Sequence, residues 1–208
     1  MMDKNIPIIV LGSGGHAKVL IETLRENQIP IVGVTSLTLN KNDDFLGLKV
    51  IVNDDDVNKY NQREILLVNG IGSLPGNTKR KELSALMRQK GYEFFSVIHP
   101  QSIISPSTDI KDGVQIMAGT VIQAGSCIGS DTIINTGSII DHDCVIGNDC
   151  HVGPGSVLSG GVTIGDGTHI GTGSNIIQNI KIGKNVIIAS GSSVFRDIDP
   201  DTKFIQKK

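Results

Sequence analysis

The sequence contains no tryptophan, and aromatic residues make up only 3% of its 208 positions. A core of this size therefore has to be filled mainly by aliphatic side chains. The three cysteines, Cys127, Cys144 and Cys150, do not have CxxC spacing, which argues against both a disulfide framework and a structural zinc site. Because such sparse cysteine usage is typical of a reducing compartment, we expect a cytoplasmic protein.

An excess of basic residues and a long hydrophobic run are also missing. The 19 Lys and Arg residues face 21 Asp and Glu residues, which gives a formal net charge of -2. Binding to nucleic acid or to an acidic lipid surface is therefore not expected. The first apolar run, residues 6–11, contains Pro7 and is followed by Gly12. It is too short to span a bilayer and lacks the flanks of a signal peptide, so we expect a soluble protein without membrane insertion.

The first 96 residues alternate short apolar runs with helical patterns, which is typical of a small parallel α/β domain. The predicted elements are strands at Ile6–Leu11, Ile31–Thr35, Leu48–Ile51, Ile65–Val68 and Glu93–Ile98 and helices at Gly15–Asn27 and Lys79–Lys90. The rest of residues 37–56 is too polar and mixed to be placed. Residues 97–208 follow a different pattern and form a second predicted domain.

In this second domain an aliphatic residue recurs every six positions without interruption. The seventeen positions are Ile98, Ile104, Ile110, Ile116, Ile122, Ile128, Ile134, Ile140, Ile146, Val152, Leu158, Ile164, Ile170, Ile176, Ile182, Ile188 and Val194. The residue four places after most of them is small or β-branched, and an Ile-Gly pair recurs every eighteen residues. This repeat predicts a triangular prism of stacked coils, three hexads to a coil, with short parallel strands and glycine-rich corners. Cys144 and Cys150 are then small core residues.

One corner of the predicted prism carries a histidine between two carboxylates. His142 lies two positions after the inward Ile140 and is flanked by Asp141 and Asp143, and the residue eighteen positions later is Gly160. An imidazole at a turn can take a proton from an amine or hydroxyl near neutral pH, and a neighbouring carboxylate fixes its tautomer and stabilises the cation. The alternative interpretation is an ordinary solvated corner histidine.

Two other histidines are eighteen residues apart, so they should stack on one outer face of adjacent coils. These are His151 and His169. We expect His151 to contact a ligand at the prism surface and His169 to be inert. A metal site is the alternative, because histidines are common zinc ligands.

A glycine-rich segment, GSGGHA at residues 12–17, follows the first predicted strand and opens the first helix. Its backbone N–H groups and the helix dipole can bind a phosphate. A nicotinamide cofactor would need an acid after the second strand, where this chain has Thr35-Ser36. We therefore predict a nucleoside diphosphate site with His16 as a contact, the alternative being a purely structural turn. The segment NGIGS at residues 69–73 should border the same nucleotide.

These motifs together resemble one known family over nearly the whole chain. GSGGH at residues 12–16, NTGSIIDHDC at residues 135–144 and the unbroken hexads are similar to the hexapeptide-repeat acyltransferases, in the branch of nucleotide-linked 4-amino-sugar N-acetyltransferases and sialic-acid O-acetyltransferases. The resemblance implies a Rossmann-like small α/β domain followed by a left-handed parallel β-helix. It also implies a homotrimer with active sites between neighbouring prisms, acetyl-CoA as co-substrate, and no metal.

The same resemblance implies a role for individual residues. His142 is expected to be the catalytic base for direct acetyl transfer to a sugar amine, and Asp143 to raise its basicity. The expected substrate contacts are Gly14, Gly15, His16, Thr35, Ser36, Gly72, Asn135 and Asp141, and the expected acetyl-CoA contacts are His151, Gly160, Thr172 and Ser190.

The chain departs from the family pattern in two places. Thr35-Ser36 stands where relatives commonly have two aspartates, which leaves the nucleotide base open. The C-terminal segment 204–208 is not the usual Gly-x-Pro-Ala, which leaves open how the adenine end of CoA is held. Three other functions also stay open: O-acetylation of a sialic-acid-like sugar, a zinc enzyme such as the hexapeptide-repeat carbonic anhydrases, and a non-catalytic trimeric scaffold. The histidine spacing does not match that of the carbonic anhydrases.

Overall fold

The structure, a computed structural model, describes residues 6–206 apart from the side chain of Val52. The chain divides into two compact units. The first unit comprises the chain up to Ser73 together with Asn77–Val97, and the second comprises Leu74–Gly76 together with the chain from Ile98 onward. Among the described residues, no helix is long and apolar enough to cross a membrane.

The first unit is a small α/β domain with a five-stranded sheet. Its elements are β1 (Ile8–Leu11), α1 (Gly15–Glu26), β2 (Ile31–Thr35), β3 (Asp44–Phe45), β4 (Leu48–Val52), a 3₁₀ helix (Asp54–Lys59), β5 (Leu66–Asn69) and α2 (Lys79–Gln89). The strand order is β3-β4-β2-β1-β5. All neighbouring strands are parallel except the hairpin of β3 and β4. The four strands predicted at residues 6–11, 31–35, 48–51 and 65–68 and the two predicted helices are confirmed to within two residues at each end. The strand β3 and the 3₁₀ helix were not predicted.

The predicted strand over residues 93–98 is wrong. Phe94 forms only a single bridge to Leu67, and Val97–Ile98 is a strand of the second unit's largest sheet. The apolar run crosses the junction of the two units, so its residues serve different cores. Phe94 is 1% exposed and packs in the core of the first unit, whereas Ile98 packs against the core of the second.

The parallel strands of the first unit's sheet all end at one edge. β1 and β5 are buried along their whole length, as expected for central parallel strands covered on both faces. Since β1, β2, β4 and β5 are parallel, the residues that follow them meet at the same edge, where ligands bind in open α/β sheets. Three such segments lie there: the glycine-rich turn after Leu11, the start of the 3₁₀ helix after β4, and the loop after Asn69.

The second unit is a parallel β-helix of two-residue strands, numbered β6 to β23 in chain order. The first sheet contains β6 (Val97–Ile98), β9 (Gln115–Ile116), β12 (Ile133–Ile134), β15 (His151–Val152), β18 (His169–Ile170), β21 (Ile187–Ile188) and β23 (Lys203–Phe204). The second contains β7 (Ile103–Ile104), β10 (Val121–Ile122), β13 (Ile139–Ile140), β16 (Val157–Leu158), β19 (Asn175–Ile176) and β22 (Ser193–Val194). The third contains β8 (Asp109–Ile110), β11 (Cys127–Ile128), β14 (Val145–Ile146), β17 (Thr163–Ile164) and β20 (Lys181–Ile182).

The predicted hexad is the interior of this β-helix, because each of the seventeen aliphatic positions is the second residue of a strand. Most of these side chains are fully buried in one continuous core. The small residues four places later are inward as well, and their hydroxyls are satisfied inside the core. Ser126 Oγ donates to the Asp141 carbonyl at 2.8 Å and Thr132 Oγ1 to the Gly147 carbonyl at 2.8 Å. A buried hydroxyl without such a partner would be costly.

Cys144 and Cys150 occupy this same inward position, as predicted. Cys144 Sγ donates to the Ser159 carbonyl at 3.3 Å, and Cys150 Sγ donates to the Gly165 carbonyl at 3.2 Å. Burial raises the pKa of the Cys144 thiol and raises that of Cys150 to about 12. Because thiolates are the nucleophilic form, both cysteines are structural.

The corners between the sheets impose a left-handed backbone conformation. We name the corner between the first and second sheets corner I and the corner between the second and third sheets corner II. In corner II, Gly125, Asp143, Gly161 and Asn179 are stacked at intervals of eighteen residues and have φ angles of 74°, 58°, 70° and 59°. Only Gly and, less easily, Asp and Asn adopt this conformation routinely. Asp143 therefore also belongs to one of the few residue types that tolerate the left-handed conformation that this turn requires.

Candidate active site

At corner II, hydrogen bonds fix the orientation of both the backbone and the ring of His142. Its N–H donates to Asp141 Oδ1 at 2.7 Å, and its carbonyl accepts from the Gly161 N–H at 2.9 Å. Its ring Nδ1 lies 2.8 Å from Asp143 Oδ2. Because a carboxylate only accepts hydrogen bonds, Nδ1 carries the proton, and Nε2 keeps its lone pair in the neutral ring. The side chain is 61% exposed, and within the described residues Nε2 has no hydrogen-bond partner.

The two neighbouring carboxylates raise the pKa of His142 above its ordinary value of 6.5. The hydrogen bond that His142 Nδ1–H donates to Asp143 is the largest cause, and the negative charge of Asp141 adds to it. Both stabilise the imidazolium, which is the form that a general base reaches after it has taken a proton. Corner II therefore offers a histidine with a fixed tautomer and increased basicity.

Gly160 provides the bare backbone beside this ring. A Cβ on Gly160 would lie 2.6 Å from both Cε1 and Nε2 of His142, so only glycine lets the imidazole rest there. The Gly160 carbonyl accepts from the Asn179 N–H at 2.9 Å, while within residues 6–206 its own N–H donates no hydrogen bond. Gly160 is itself a buried residue beneath the ring, and its N–H is an amide donor without a partner among the described residues.

A second group of predicted residues lies at the first sheet and corner I. Asn135 Nδ2 is 3.2 Å from His151 Nε2, and Asn135 Oδ1 accepts from the Thr136 N–H at 2.8 Å. Since the amide nitrogen can only donate, His151 Nε2 is the acceptor and His151 is neutral. His151 pairs in register with His169, and their rings meet edge to face with centroids 4.6 Å apart. The predicted stacking of the two histidines is confirmed.

Thr172 and Ser190 belong to corner I, on adjacent coils and exposed. The Gly191 N–H donates to the Thr172 carbonyl at 2.8 Å, so the two residues follow one another up this corner. They extend the Asn135 and His151 group along the prism. Their role as acetyl-CoA contacts stays a prediction.

Within the β-helix the predicted residues fall into two groups at opposite edges of the second sheet. Asp141, His142, Asp143 and Gly160 form the group at corner II, and Asn135, His151, Thr172 and Ser190 form the group at the first sheet and corner I. A six-stranded sheet face separates them. One copy of the β-helix therefore brings the predicted base together with Gly160, but not with the other predicted acetyl-CoA contacts, His151, Thr172 and Ser190.

In the first unit, the two glycine-rich loops lie side by side at the carboxyl edge of the sheet. The Gly70 N–H donates to the Leu11 carbonyl at 2.8 Å, and a Cβ on Gly72 would lie 3.5 Å from that of His16. A Cβ on Gly14 or Gly15 would meet nothing within 4 Å. The N-terminus of α1, which no side chain caps, therefore faces open space, as an anion site requires.

Thr35 and Ser36, predicted as substrate contacts, are 1% and 4% exposed, and their hydroxyls are engaged within the unit. Thr35 Oγ1 accepts from the Gly12 N–H at 2.9 Å and donates to Asp54 Oδ1 at 2.5 Å. Ser36 Oγ accepts from Ser13 Oγ at 2.7 Å. Asp54, in contrast to Thr35, is partly exposed.

Sequence reasoning missed two residues of this edge. Asp54 falls in the polar stretch that no periodic pattern could place, and nothing in the sequence pairs it with Thr35. Arg80 is 7% exposed, and its Nη1 donates to the carbonyls of Asn69 and Ile71 at 2.7 and 2.8 Å. It therefore fixes the second glycine-rich loop, although its position in α2 reads as an ordinary surface residue.

Among the described residues, His142, His151 and His169 do not join other side chains in a metal-binding group. Within the described part of the chain, no group of three or more His, Cys, Asp or Glu side chains is arranged to hold a metal ion.

Comparisons with known proteins agree with this architecture. Residues 128–160 and 161–196 match the family described as bacterial transferase hexapeptide (six repeats), and residues 7–86 match the PglD N-terminal domain. No match was found among the curated proteins with which the chain was compared. Together the two matched families define a hexapeptide-repeat transferase with an added α/β domain.

Solved structures resemble the chain over nearly its whole length. One is a histidine-to-asparagine variant of perosamine N-acetyltransferase from Caulobacter crescentus in complex with CoA and GDP-perosamine, which is 34% identical with a TM-score of 0.88, covering 95% of this chain and 92% of that one. Another is the acetyltransferase domain of PglB from Neisseria gonorrhoeae in complex with acetyl coenzyme A, at 30% identity and a TM-score of 0.85, covering 95% of each chain. WeeI from Acinetobacter baumannii shares the fold at 22% identity and a TM-score of 0.85, covering 96% of each chain.

The chain belongs to the hexapeptide-repeat acetyltransferases that carry a PglD-type N-terminal domain, and it is an acetyltransferase.

Proposed function

We propose that the protein transfers an acetyl group from acetyl-CoA to the amine of a nucleotide-linked 4-amino-4,6-dideoxy sugar, as a step of bacterial glycan biosynthesis. The observation that carries the proposal is the orientation of His142, with Nδ1 held by Asp143 at 2.8 Å and Nε2 beside Gly160 without a hydrogen-bond partner among the described residues. Similarity to a perosamine N-acetyltransferase bound to CoA and GDP-perosamine supports the choice of donor and acceptor.

The reaction is a direct transfer. The sugar amine attacks the thioester carbonyl of acetyl-CoA while His142 Nε2 takes a proton from the amine. A C–N bond forms, the C–S bond breaks, and the CoA sulfur leaves and takes up a proton. The raised pKa of His142 favours proton uptake. No covalent enzyme intermediate is needed, and the buried thiols of Cys144 and Cys150 have raised pKa values that leave them unreactive.

The oxygen of the thioester becomes negatively charged during the attack. The Gly160 N–H, which donates no hydrogen bond within the described residues, is our proposed donor to that oxygen. Removing one such donor in comparable sites lowers the rate by about 10² to 10³. The glycine at this position thus serves both the base and the oxyanion.

The first unit binds the nucleotide. The diphosphate is received by the amides at the start of α1, with Gly14, Gly15 and His16 in contact and Gly72 beside them, because this helix N-terminus is uncapped and faces open space. Helix N-termini with adjacent glycines bind phosphate groups through their N–H groups and dipole. The second half of the chain supplies the acetyl transfer.

The active form is a homotrimer that shares each active site between neighbouring copies. The outward positions of the second sheet include an apolar row of Ile103, Val121, Ile139 and Val157, with Ile103 68% and Ile139 42% exposed. Such a row is expected at an interface between copies. Copies that meet through this sheet around a threefold axis place corner II of one beside corner I of the next. The His142 group and the His151 group are thereby united.

The test of the reaction is thiol release from acetyl-CoA with GDP-, UDP- and dTDP-linked 4-amino-4,6-dideoxy sugars. We expect rapid release with one acceptor and a loss of about 10² to 10⁴ in rate for His142→Ala, the range that general-base catalysis contributes. Release with a sialic-acid-like hydroxyl acceptor alone would favour O-acetylation instead. Equal activity of the variant would remove His142 as the base.

The shared site is tested by mixing two inactive variants. His142→Ala and His151→Ala, refolded or co-expressed together, should form some sites with both native side chains, so activity should reappear in the mixture. If the mixture stays as inactive as its parents while sedimentation shows mixed trimers, each site lies within one copy. A protein that sediments as a monomer would exclude the trimer.

A further inference from the structure

We propose that Asp54 receives the ribose 2′-hydroxyl of the nucleotide and so makes the enzyme selective for ribonucleoside over 2′-deoxyribonucleoside diphosphates. This inference rests on the proposed nucleotide site of the first unit and adds the residue that reads the sugar of the nucleoside. It narrows the acceptor from three nucleotide classes to two, since dTDP lacks that hydroxyl.

Asp54 is held at the sheet edge by a chain of two hydrogen bonds. The Gly12 N–H donates to Thr35 Oγ1 at 2.9 Å, and this oxygen donates its proton to Asp54 Oδ1 at 2.5 Å. The direction is fixed because a hydroxyl that accepts from an amide has its single proton left for the carboxylate. Three strand ends are thereby linked: Gly12 follows β1, Thr35 ends β2 and Asp54 follows β4.

The carboxylate has capacity left for a ligand. Only Oδ1 of Asp54 is engaged, and within the described residues Oδ2 accepts no hydrogen bond. Thr35 is 1% exposed, whereas the surface of Asp54 is partly accessible. A ligand at this edge therefore meets the carboxylate and not the threonine hydroxyl.

The position and charge of Asp54 select the part of the nucleotide that it binds. Phosphates belong at the uncapped N-terminus of α1, since the amides there attract anions and a carboxylate repels them. The ribose is the next group along the nucleotide, and Asp54 is connected through Thr35 to Gly12, the first residue of the same glycine-rich turn. Where α/β domains bind dinucleotides, an acid near the end of the second strand accepts from the ribose 2′-hydroxyl. Here β2 ends in Thr35, and the acid is Asp54, which follows the neighbouring strand β4.

The experiment is calorimetric titration of the full-length protein with GDP, 2′-deoxy-GDP, UDP and 2′-deoxy-UDP. For the natural protein we expect the better-bound ribonucleotide to exceed its deoxy analogue by about tenfold or more in affinity, as for a hydrogen bond to a charged group. Asp54→Asn should reduce that ratio to below about threefold, because its amide oxygen still accepts from Thr35 while the other position becomes a donor. Asp55→Asn is the matched control, since Asp55 is 85% exposed on the same 3₁₀ helix and ion-paired with Lys90, and it should keep the full ratio.

The possible results separate this inference from the proposed function. Binding of GDP or UDP with no discrimination against the deoxy form, or with discrimination that survives in Asp54→Asn, overturns the role of Asp54 alone. No binding of any nucleoside diphosphate overturns the nucleotide site itself and the role of Asp54 with it. Thr35→Val provides a second variant that leaves the carboxylate in place but unanchored, and its ratio should lie between those of the natural protein and Asp54→Asn.

Discussion

The histidines of the β-helix occupy two contrasting settings, a corner and a sheet face. At corner II, His142 is 61% exposed, and hydrogen bonding by Asp143 together with the charge of Asp141 raises its pKa. On the first sheet, His169 packs edge to face on His151, and burial lowers its pKa below the ordinary 6.5. The basicity of the same side chain is thus raised in one setting and lowered in the other.

The difference arises from the geometry of a coil. A corner turns the side chain outward between two flanking residues, so adjacent carboxylates along the chain can reach an imidazole. A position within a strand has as its nearest neighbours the residues one coil above and below, eighteen positions away. Basicity at the corner is therefore encoded locally, whereas the environment of a sheet histidine depends on stacking.

Among the variants that test the contrast between the corner histidine and the sheet histidines, Gly160→Ala is expected to have the largest effect on the rate. Its Cβ would lie 2.6 Å from Cε1 and Nε2 of His142, and the exposed ring has to move away. We expect the rate of acetyl transfer to fall by about 10²-fold, because the base is displaced. Folding should persist, since the clash involves the end of a movable side chain.

The matched control for that variant is Gly155→Ala. Gly155 has a φ of 65° and its added Cβ would meet nothing within 4 Å, so this change should lower stability by about 1–2 kcal/mol and leave the rate unchanged. Thermal unfolding and initial-rate measurements on both variants distinguish a glycine needed for space from one needed for its conformation. If Gly160→Ala kept the natural rate, the ring would not act from its observed position.

A smaller effect is expected from Asp143→Asn, which removes the larger cause of the raised pKa of His142. The acid limb of the pH dependence of kcat/KM should move to lower pH, because the imidazolium is less stabilised. At pH 8 the rate should fall by about tenfold, since the ring is a weaker base and loses its fixed tautomer. An acid limb that stays in place, or moves to higher pH, would show that another group titrates there.

The smallest effect is expected from His169→Phe. His169 Nδ1 is buried and, among the described residues, has no hydrogen-bond partner, so an apolar ring of similar shape should fit, and the transfer rate should change less than about threefold. Since the folded-state pKa of His169 is lowered, the unfolded chain takes up a proton first as the pH falls below about 6.5, and stability decreases there. His169→Phe should lose less stability between pH 7 and pH 5 than the natural protein in denaturant titrations. A large loss of activity would contradict the neutral packing role.

The two units also differ in how far the sequence predicted them. In the hexads, each aliphatic residue packs against the residues eighteen positions before and after it. Because this interval is constant, Ile140 and Ile146 could be assigned to the interior from the sequence alone. The α/β unit gave its parallel strands and helices by pattern. The pattern wrongly predicted one strand over residues 93–98, because an apolar run does not show which of two cores each residue joins.

The candidate site divides in the same way. His142, Asp143 and Gly160 were predictable, since the carboxylate is the next residue and the glycine is one coil away at a fixed interval. Asp54 was not, because its contact with Thr35 joins residues nineteen apart across a stretch with no repeating pattern.

The amino-acid sequence by itself determined the repeating interior, the corner histidine with its carboxylates and the glycine-rich turn before α1, because each depends on neighbours at short or fixed separations along the chain. Tertiary structure decided that Thr35 is buried beneath Asp54, that Arg80 holds the second glycine-rich loop, and that the predicted residues of the β-helix lie at opposite edges of one sheet. These depend on which strand ends and corners are brought side by side, and long-range packing determines that.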